Sequence, residues 1–341
     1  MKHFKGSIIF TIIAIFIAFF LGAGKAMNIP VGLQTIFIVL ILGILEISLS
    51  FDNAVVNATV LKKMDAKWQQ RFLTRGMAIA VFGMRIIFPL IIVAIVGGIN
   101  PLAAFNLAIF DPNQYAAILT GSHITIAGFG GTFLLLVALK FFLDAEKETH
   151  RLGYIEKYLQ KIGSLKSMEI IITIMIVYII GSFLPAAEHL TFLVASMRGI
   201  ILFVLMEGIT TLLQTSKGGI TNIHKVGLSL FLYLEVLDAS FSFDGVIGAF
   251  ALSKNIFIIA LGLGIGAMFV RSLTIMLVKK GTLTKYKYLE HGAFWAIFAL
   301  AAIMFLNTLF HVSETLTGII GAICIGLALW SSIKENKKNI N

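Results

Sequence analysis

Long apolar stretches separated by short polar segments run along the whole chain. Most are about 20 residues long, the length a helix needs to cross roughly 30 Å of hydrocarbon. Only helices and closed barrels satisfy their backbone hydrogen bonds inside a bilayer, and stretches of this length are typical of helices. The pattern therefore predicts an all-α fold, a polytopic helical membrane bundle. Its ten spans are expected at residues 7–24, 31–61, 76–98, 123–143, 169–186, 190–213, 226–253, 255–278, 288–309 and 314–333.

Composition agrees with a membrane protein, because 58% of the residues are hydrophobic and only 13% are charged. The mean hydropathy is +0.96. A cleaved signal peptide is the competing interpretation of the first stretch, but Gly24-Lys-Ala26 is a poor cleavage site. The single cysteine, Cys324, excludes an internal disulfide and is expected to be a packing residue.

The net charge of +10 does not indicate nucleic acid as a partner, because the basic residues lie in short loops between spans. With the N-terminus in the cytoplasm, 21 Lys and Arg residues fall in inner loops and two in outer loops. Basic residues concentrate in cytoplasmic loops of membrane proteins. We therefore expect both termini to be cytoplasmic, the bilayer to be a partner, and the location to be a bacterial cytoplasmic (plasma) membrane.

Two loops have unusual patterns. Residues 99–122 place Asn100-Pro101 and Asp111-Pro112 around an apolar stretch, which favours a re-entrant or interfacial segment. Residues 144–168 carry an apolar helical stripe among charged residues, which indicates an amphipathic helix on the membrane surface or, alternatively, a solvated cytosolic helix. The stripe comprises Leu152, Ile155, Leu159 and Ile162.

An acidic motif occurs twice within the apolar stretches. Both copies have an acid, any residue, Ser, a large apolar residue, Ser, Phe, Asp, then Asn or Gly. The copies are Glu46-Ile-Ser48-Leu-Ser50-Phe51-Asp52-Asn53 and Asp238-Ala-Ser240-Phe-Ser242-Phe243-Asp244-Gly245, the second preceded by Glu235.

The repeat continues beyond the motif, since Gly76 and Arg85 have the same spacing as Gly262 and Arg271. Corresponding spans are five helices apart, so the two halves are predicted to run in opposite directions through the membrane. Inverted repeats of this kind are typical of secondary transporters, whose sites lie at the repeat interface. The predicted divisions are a first helix (1–28), a first three-helix repeat (29–143), an amphipathic loop (144–168), two linking helices (169–225), an inverted second repeat (226–310), and a last helix with its tail (311–341).

The five motif acids need partners inside the membrane. Each ionised acid at the bilayer centre costs about 2.5–3.5 kcal/mol, or about 12–17 kcal/mol for five. Arg85 and Arg271 are candidate charge-balancing residues, and static ion pairs are one possible outcome. Glu207, another acid within a span, is a weaker candidate for the site and is expected either to act there or to pair with Arg198.

The oxygen-bearing side chains of the two motifs suit a hard divalent cation. Carboxylate, hydroxyl and amide oxygens favour Mg²⁺, Ca²⁺ or Mn²⁺, whereas neither motif contains the Cys or His typical of zinc and copper sites. We expect this ion as a substrate and no tightly bound cofactor. The candidate ligands are Glu46, Asp52, Asn53, Glu235, Asp238 and Asp244, with Ser48, Ser50, Ser240 and Ser242 as a supporting shell.

Helix geometry constrains such a site. Residues six apart differ by about 120° and about 9 Å of rise on a straight helix, so Glu46 and Asp52 could not bind one ion there. Glu235 and Asp238, three apart, share a face. We therefore expect either several subsites along a path or, preferably, a break at Ser-Phe-Asp-(Asn/Gly), where Asn53 and Gly245 tolerate unusual backbone conformations.

The paired motifs resemble those of the TerC family of integral membrane proteins, over about residues 31–310. Ser-Phe-Ser-Phe-Asp-Gly and Tyr288-Leu-Glu-His-Gly-Ala293 look most like its DUF475 branch. The resemblance implies a LysE-type superfamily fold and export of manganese or a related divalent ion through the acidic site above. This chain has Asp244-Gly245 where the usual second motif ends in Asp-Ser, and its 99–122 loop is longer than in simple members.

Three hypotheses follow from these observations. The first is a non-enzymatic secondary transporter of a divalent cation working by alternating access, with Mn²⁺ favoured. The second is a metal sensor or scaffold with a static ion. The third is an intramembrane aspartyl hydrolase, which the number of acids and the missing Gly-x-Gly-Asp pattern disfavour. The ion, direction, coupling ion and oligomeric state stay open.

Overall fold

The computed structural model describes residues 2–76, 78–147, 149–165, 167–214, 223–310, 312 and 314–338. In this part of the chain the regular structure consists of helices without strands, which confirms the all-α prediction. The α-helices are α1 (Lys5–Ala23), α2 (Ile29–Leu49), α3 (Phe51–Leu61), α4 (Ala66–Arg71), α5 (Phe88–Val96), α6 (Pro101–Phe110), α7 (Pro112–Gly121), α8 (His123–Ile126), α9 (Thr132–Phe142), α10 (Gly153–Ile162), α11 (Met168–Ser182), α12 (Ala186–Gln214), α13 (Ile223–Leu252), α14 (Ile256–Lys279), α15 (Thr282–Lys285), α16 (Leu289–Leu306) and α17 (Glu314–Lys338). A 3₁₀ turn occupies Lys2–Phe4, and π-helical segments occupy Phe72–Gly76 (π1), Ile79–Ile87 (π2) and Ala127–Gly131 (π3).

Eight helical segments of the described residues are long and apolar enough to cross a membrane, so the chain is an integral membrane protein. They are Lys5–Ala23, Ile29–Leu49, Ile79–Val96, His123–Phe142, Ala186–Thr211, Ile256–Lys279, Leu289–Leu306 and Leu316–Lys338. The other two predicted spans correspond to α11, which is shorter at 15 residues, and to α13, which has 30 residues and only partly described side chains.

The chain folds into two compact units. The first comprises residues 1–54, 66–122 and 235–276, and the second comprises residues 55–65, 123–234 and 277–341. The first unit holds both acidic motifs. The second holds α9 and α16, which are the third helices of the two predicted repeats.

Small residues let the helices of the first unit approach closely. A Cβ added to Gly22 would lie 2.1 Å from Thr35 Oγ1, which shows how tightly α1 packs on α2. A Cβ at Gly262 would lie 2.5 Å from Leu42 Cβ, so α14 packs equally closely on α2. Hydrogen bonds add to this packing, since the buried Ser7 hydroxyl donates to Met268 O at 2.8 Å. Close backbone approach at small residues is how membrane helices gain packing energy.

Aromatic side chains fill the second unit. The rings of Phe141 on α9 and Phe294 on α16 are stacked, with centroids 3.9 Å apart. A Cβ added to Gly292 would lie 2.4 Å from Ala328 Cβ, so α16 and α17 are in close contact. These contacts join the third helices of the two predicted repeats into one packed layer.

The 99–122 segment forms two helices, α6 and α7, and each has a proline as its first residue. The Asn100 side chain accepts a hydrogen bond from Ala103 N at 2.7 Å, and Asp111 accepts one from Gln114 N at 3.1 Å. These are ordinary N-caps, with proline in the first turn. The two helices, α6 and α7, pack on each other and on α5. The segment is therefore structured, and its entry into the membrane stays a prediction.

Residues 144–168 contain a helix, α10, and its location on the membrane surface or in solvent stays a prediction. Glu156 is completely buried, whereas Leu152 and Ile155 of the stripe are 40% and 52% exposed. The helix therefore packs on its own unit through Glu156, while the first half of the apolar stripe is exposed.

Candidate functional site

The first acidic motif lies where α2 gives way to α3. Ser50 is the single residue between them, with φ −109° and ψ 19°, and its N–H still donates to Glu46 O at 3.0 Å. Asp52 falls in the first turn of α3, where its carboxylate accepts a hydrogen bond from Asn53 N at 3.0 Å. An acid in this position is stabilised by the free N–H groups of the new helix. The expected break is therefore a one-residue interruption in this motif.

The second motif has no such interruption. The helix α13 runs continuously from Ile223 to Leu252 through Gly245, so the break expected here is wrong. Gly245 is buried, and a Cβ added there would lie 2.9 Å from Glu46 Oε2 of the first motif. Glu235 and Asp238 share a face of this helix, as their spacing requires. The side chain of Asp244 lies outside the described residues.

Arg85 links the two motifs. One guanidinium nitrogen, Nη2, donates to Glu46 Oε1 of the first motif, and Nη1 lies 3.9 Å from Asp238 Oδ2 of the second. Nη1 also donates to Ala80 O at 2.7 Å, five residues back along π2. The arginine is 2% exposed, so these carboxylates rather than solvent neutralise it.

Arg271 on α14 is the second buried cation. Its Nη2 lies 3.4 Å from both carboxylate oxygens of Glu235 and 3.4 Å from Asp238 Oδ2. Its Nη1 donates to Phe72 O at 3.2 Å, and the guanidinium sits 4.2 Å above the Phe72 ring. Asp238 is thus shared by both arginines, and it joins the acids of the two motifs into one network.

Four acids and two arginines occupy this buried network and its surroundings. The acids are Glu46, Asp52, Glu235 and Asp238, each at most 8% exposed. If all are ionised, the two guanidiniums leave about two negative charges uncompensated. Buried charges without partners are strongly unfavourable, so the arrangement favours a bound cation or proton uptake.

Two candidate ligand atoms have no hydrogen-bond partner in the described part of the chain. They are Asn53 Oδ1 and Ser242 Oγ, on residues 4% and 3% exposed. A buried acceptor without a donor is costly, and it is well suited to a hard cation. Both residues were predicted from the motif, and their chemistry fits a divalent ion.

The other predicted serines are less available. Ser50 donates to Glu46 Oε1 at 3.1 Å, so it orients that acid. Ser240 donates to Val236 O at 3.0 Å within its own helix. Ser48 is exposed and donates to Ile44 O, which removes it from the expected shell. It lies two residues from Glu46, which is about 200° around the helix and therefore on the opposite face.

No group of three or more His, Cys, Asp or Glu side chains is placed to hold a metal ion within the described residues. The guanidiniums bridge the carboxylates there, and the side chain of Asp244 lies outside the described residues. Binding of a divalent ion by several acids at once would therefore require the arginines to move aside.

A family model described as "Protein of unknown function (DUF475)" matches residues 51–339. The chain belongs to the DUF475 family. The matched region includes Asp52, Asn53 and all of the second motif, whereas Glu46 precedes it. No curated protein and no solved structure matches the chain. The wider resemblance to TerC and LysE-type proteins stays a prediction.

Of the two alternatives expected for Glu207 of this DUF475 protein, the pair with Arg198 is wrong. Glu207 forms an ion pair with Lys140, at the end of α9, rather than with Arg198. Arg198 is exposed and nine residues away on the same helix, which places it on the opposite face. Both members of the Lys140 pair are partly exposed, at 48% and 35%, and the pair lies in the second unit of the DUF475 chain.

A second buried polar cluster of the DUF475 chain, centred on Glu156 of α10, was not predicted from the sequence. Its carboxylate accepts hydrogen bonds from Lys147 Nζ at 3.1 Å, from His291 Nδ1 at 2.8 Å and from Trp295 Nε1 at 3.3 Å. It also accepts from the backbone N–H groups of Arg151 and Leu152, at 3.1 and 3.4 Å. The spacing of His291 and Trp295, four apart on one helix face, was the available signal.

Electrostatics hold this carboxylate in its charged form. Burial raises the pKa of Glu156, but the hydrogen bonds and charges of His291 and Lys147 outweigh burial and bring the pKa well below its ordinary value. The cluster fastens α10 to the start of α16 and is structural rather than part of the acidic site.

Proposed function

We propose that this DUF475 protein is a secondary transporter of a divalent metal cation, with Mn²⁺ as the favoured substrate and export as the favoured direction. The observation that supports the proposal most strongly is the network around Asp238, in which acids from both sequence repeats share two buried arginines. A cation path at the interface of two repeats needs acids from each.

The arginines supply the proposed coupling between binding and movement. A divalent ion that binds Glu46 and Asp238 competes with Arg85 and Arg271 for the same oxygens. When the ion leaves, the guanidiniums return to the carboxylates and limit the charge that the protein carries through the membrane. The orphaned oxygens of Asn53 and Ser242 are further proposed ligands, and Asp52 and Asp244 would complete the site.

The topology and location belong to the same proposal. We place both termini on the cytoplasmic side of a bacterial cytoplasmic membrane, on the basis of the loop charges. Transport by alternating access would then move the ion across this membrane. The TerC-like motif supports Mn²⁺ and export as expectations.

The test is flux of Mn²⁺, Ca²⁺ and Mg²⁺ into proteoliposomes containing the wild-type protein, Asp52→Asn or Asp244→Asn. We expect Mn²⁺ flux in the wild type and at least a tenfold loss in each variant. Asp111→Asn is the matched control, because it makes the same chemical change at an exposed helix N-cap where Asn serves as well as Asp.

The outcomes separate the alternatives. Tight Mn²⁺ binding without flux, abolished in Asp244→Asn, would favour the sensor or scaffold with a static ion. Peptide hydrolysis that needs no metal and is lost in the same variants would favour the aspartyl hydrolase. If flux persists in both variants at wild-type amounts of protein, the acids form a static ion-pair network and the transport proposal is wrong.

A further inference from the structure

The helix α10 turns Glu156 and Gln160 toward the protein and exposes Tyr154 and Ile155 on its other side. Glu156 is fully buried, and Gln160, one turn later, donates to Ala145 O at 2.8 Å and Lys147 O at 2.9 Å. Because these two side chains face the protein, the opposite face of the helix is free. An amphipathic helix in a soluble protein would show the reverse arrangement.

The outward face is aromatic, apolar and cationic. Tyr154 is 97% exposed, Tyr158 68% and Ile155 52%. Lys157 and Lys161 are also exposed. The only acid of the helix is Glu156, and its charge is neutralised inside the protein. The surface that α10 presents therefore carries positive charge without any negative charge of its own.

The position of α10 places this face beside the end of a membrane-spanning segment. A Cβ added to Gly163 would lie 1.7 Å from Leu143 O, so the end of α10 contacts the end of α9. The apolar helix α11 begins at Met168, five residues later. The C-terminal end of α10 is thus held close to apolar helices, at the level where the span His123–Phe142 ends.

We propose that the outward face of α10, formed by Tyr154, Ile155, Lys157, Tyr158 and Lys161, binds anionic phospholipids at the bilayer interface. Tyrosines favour this depth because the ring is apolar and the hydroxyl is polar. Lysines near an anionic leaflet are attracted by its negative surface potential. Charge complementarity therefore favours lipid over water or a second copy of a cationic surface. This inference does not depend on which ion the protein transports.

The experiment measures the depth of a spin label at position 155. The background is Cys324→Ser, which removes the only cysteine, and the labelled variant adds Ile155→Cys. Accessibility to oxygen and to a water-soluble nickel chelate is measured in vesicles of phosphatidylcholine, with and without phosphatidylglycerol. Ile319→Cys, on the exposed apolar face of α17, is the lipid reference, and Lys337→Cys near the C-terminus is the water reference.

In vesicles with phosphatidylglycerol, we expect the label at 155 to lie about 5–10 Å below the headgroups, the depth of interfacial helices. Combining the label with Lys157→Gln and Lys161→Gln should move it toward the water reference, most clearly at low salt. Water-like accessibility in both vesicle types would overturn the proposal and favour a solvated helix. A label shielded from both reagents, with spin–spin broadening, would overturn it in favour of a second copy.

Discussion

The buried carboxylate of Glu156 gives the sharpest stability prediction. The substitution Glu156→Gln keeps the shape of the side chain but removes its negative charge and one of its two acceptor oxygens. The five donors divide between the two oxygens, three on Oε2 and two on Oε1. Whichever oxygen the amide nitrogen replaces, at least two donors lose their acceptor.

The expected loss in the free energy of unfolding follows from the donors that are left without an acceptor. Each buried group left without a partner costs about 1–3 kcal/mol. Breaking one side of a buried ion pair costs about 3–5 kcal/mol, and here Lys147, 7% exposed, would keep its charge without Glu156. We therefore expect a loss of about 3–5 kcal/mol in the free energy of unfolding, which corresponds to a decrease in Tm on the order of 5–10 °C.

Thermal unfolding in detergent, followed by circular dichroism, measures this loss. Glu335→Gln is the matched control, since Glu335 pairs with Lys287 at 3.1 Å and both side chains are well exposed, at 36% and 40%. Exposed pairs contribute less than about 1 kcal/mol. Lys147→Met added to Glu156→Gln should restore part of the loss. A Tm for Glu156→Gln within 1 °C of wild type would refute the reasoning.

The same carboxylate predicts a pH dependence. The pKa of Glu156 in the folded protein is below its ordinary value of 4.5. Its stabilisation is therefore fully present above about pH 4.5 and is lost as the pH falls toward the folded pKa. As the pH falls through that range, the Tm of the wild type should decrease by more than the Tm of Glu156→Gln. Parallel Tm curves for the two proteins would contradict this prediction.

Two further substitutions test the packing and the exposed ion pair. Gly266→Ala would place a Cβ 2.4 Å from Glu46 Cβ, so we expect a loss of about 1–3 kcal/mol in thermal unfolding, whereas Gly208→Ala, which meets open space, should not destabilise. An unchanged Tm for Gly266→Ala would show that α2 and α14 can separate freely. Glu207→Gln should change stability by less than about 1 kcal/mol, because its pair with Lys140 is partly exposed. A larger decrease in Tm would mean that this pair is shielded by lipid.

Hydrophobic pattern alone was enough to predict the helical membrane fold, because a run of about 20 apolar residues has few alternatives. The motif spacing also identified Glu46, Asp238 and the two arginines, which the structure brings into contact. Buried charges must find partners, and few cations were available within the spans.

The errors have separate physical causes. The break was expected in both motifs from residue type, yet α13 continues through Gly245, because a glycine permits an unusual backbone conformation without imposing it. The burial of Glu156 was missed because periodicity does not reveal the partners of that side chain, one of which is 135 residues away along the chain. The predicted Glu207–Arg198 pair was avoidable, since a nine-residue separation places the two on opposite helix faces.

The two arginines occupy equivalent sequence positions but differ in what depends on them. Asp238 contacts both guanidiniums, so the second motif keeps a cation if either arginine is lost. Glu46, in contrast, pairs with Arg85 alone among the cations of the described residues. Redundancy is therefore built into one repeat and absent from the other. The two repeats are similar in sequence, but Glu46 of the first motif depends on a single arginine for its countercharge, whereas Asp238 of the second motif has two.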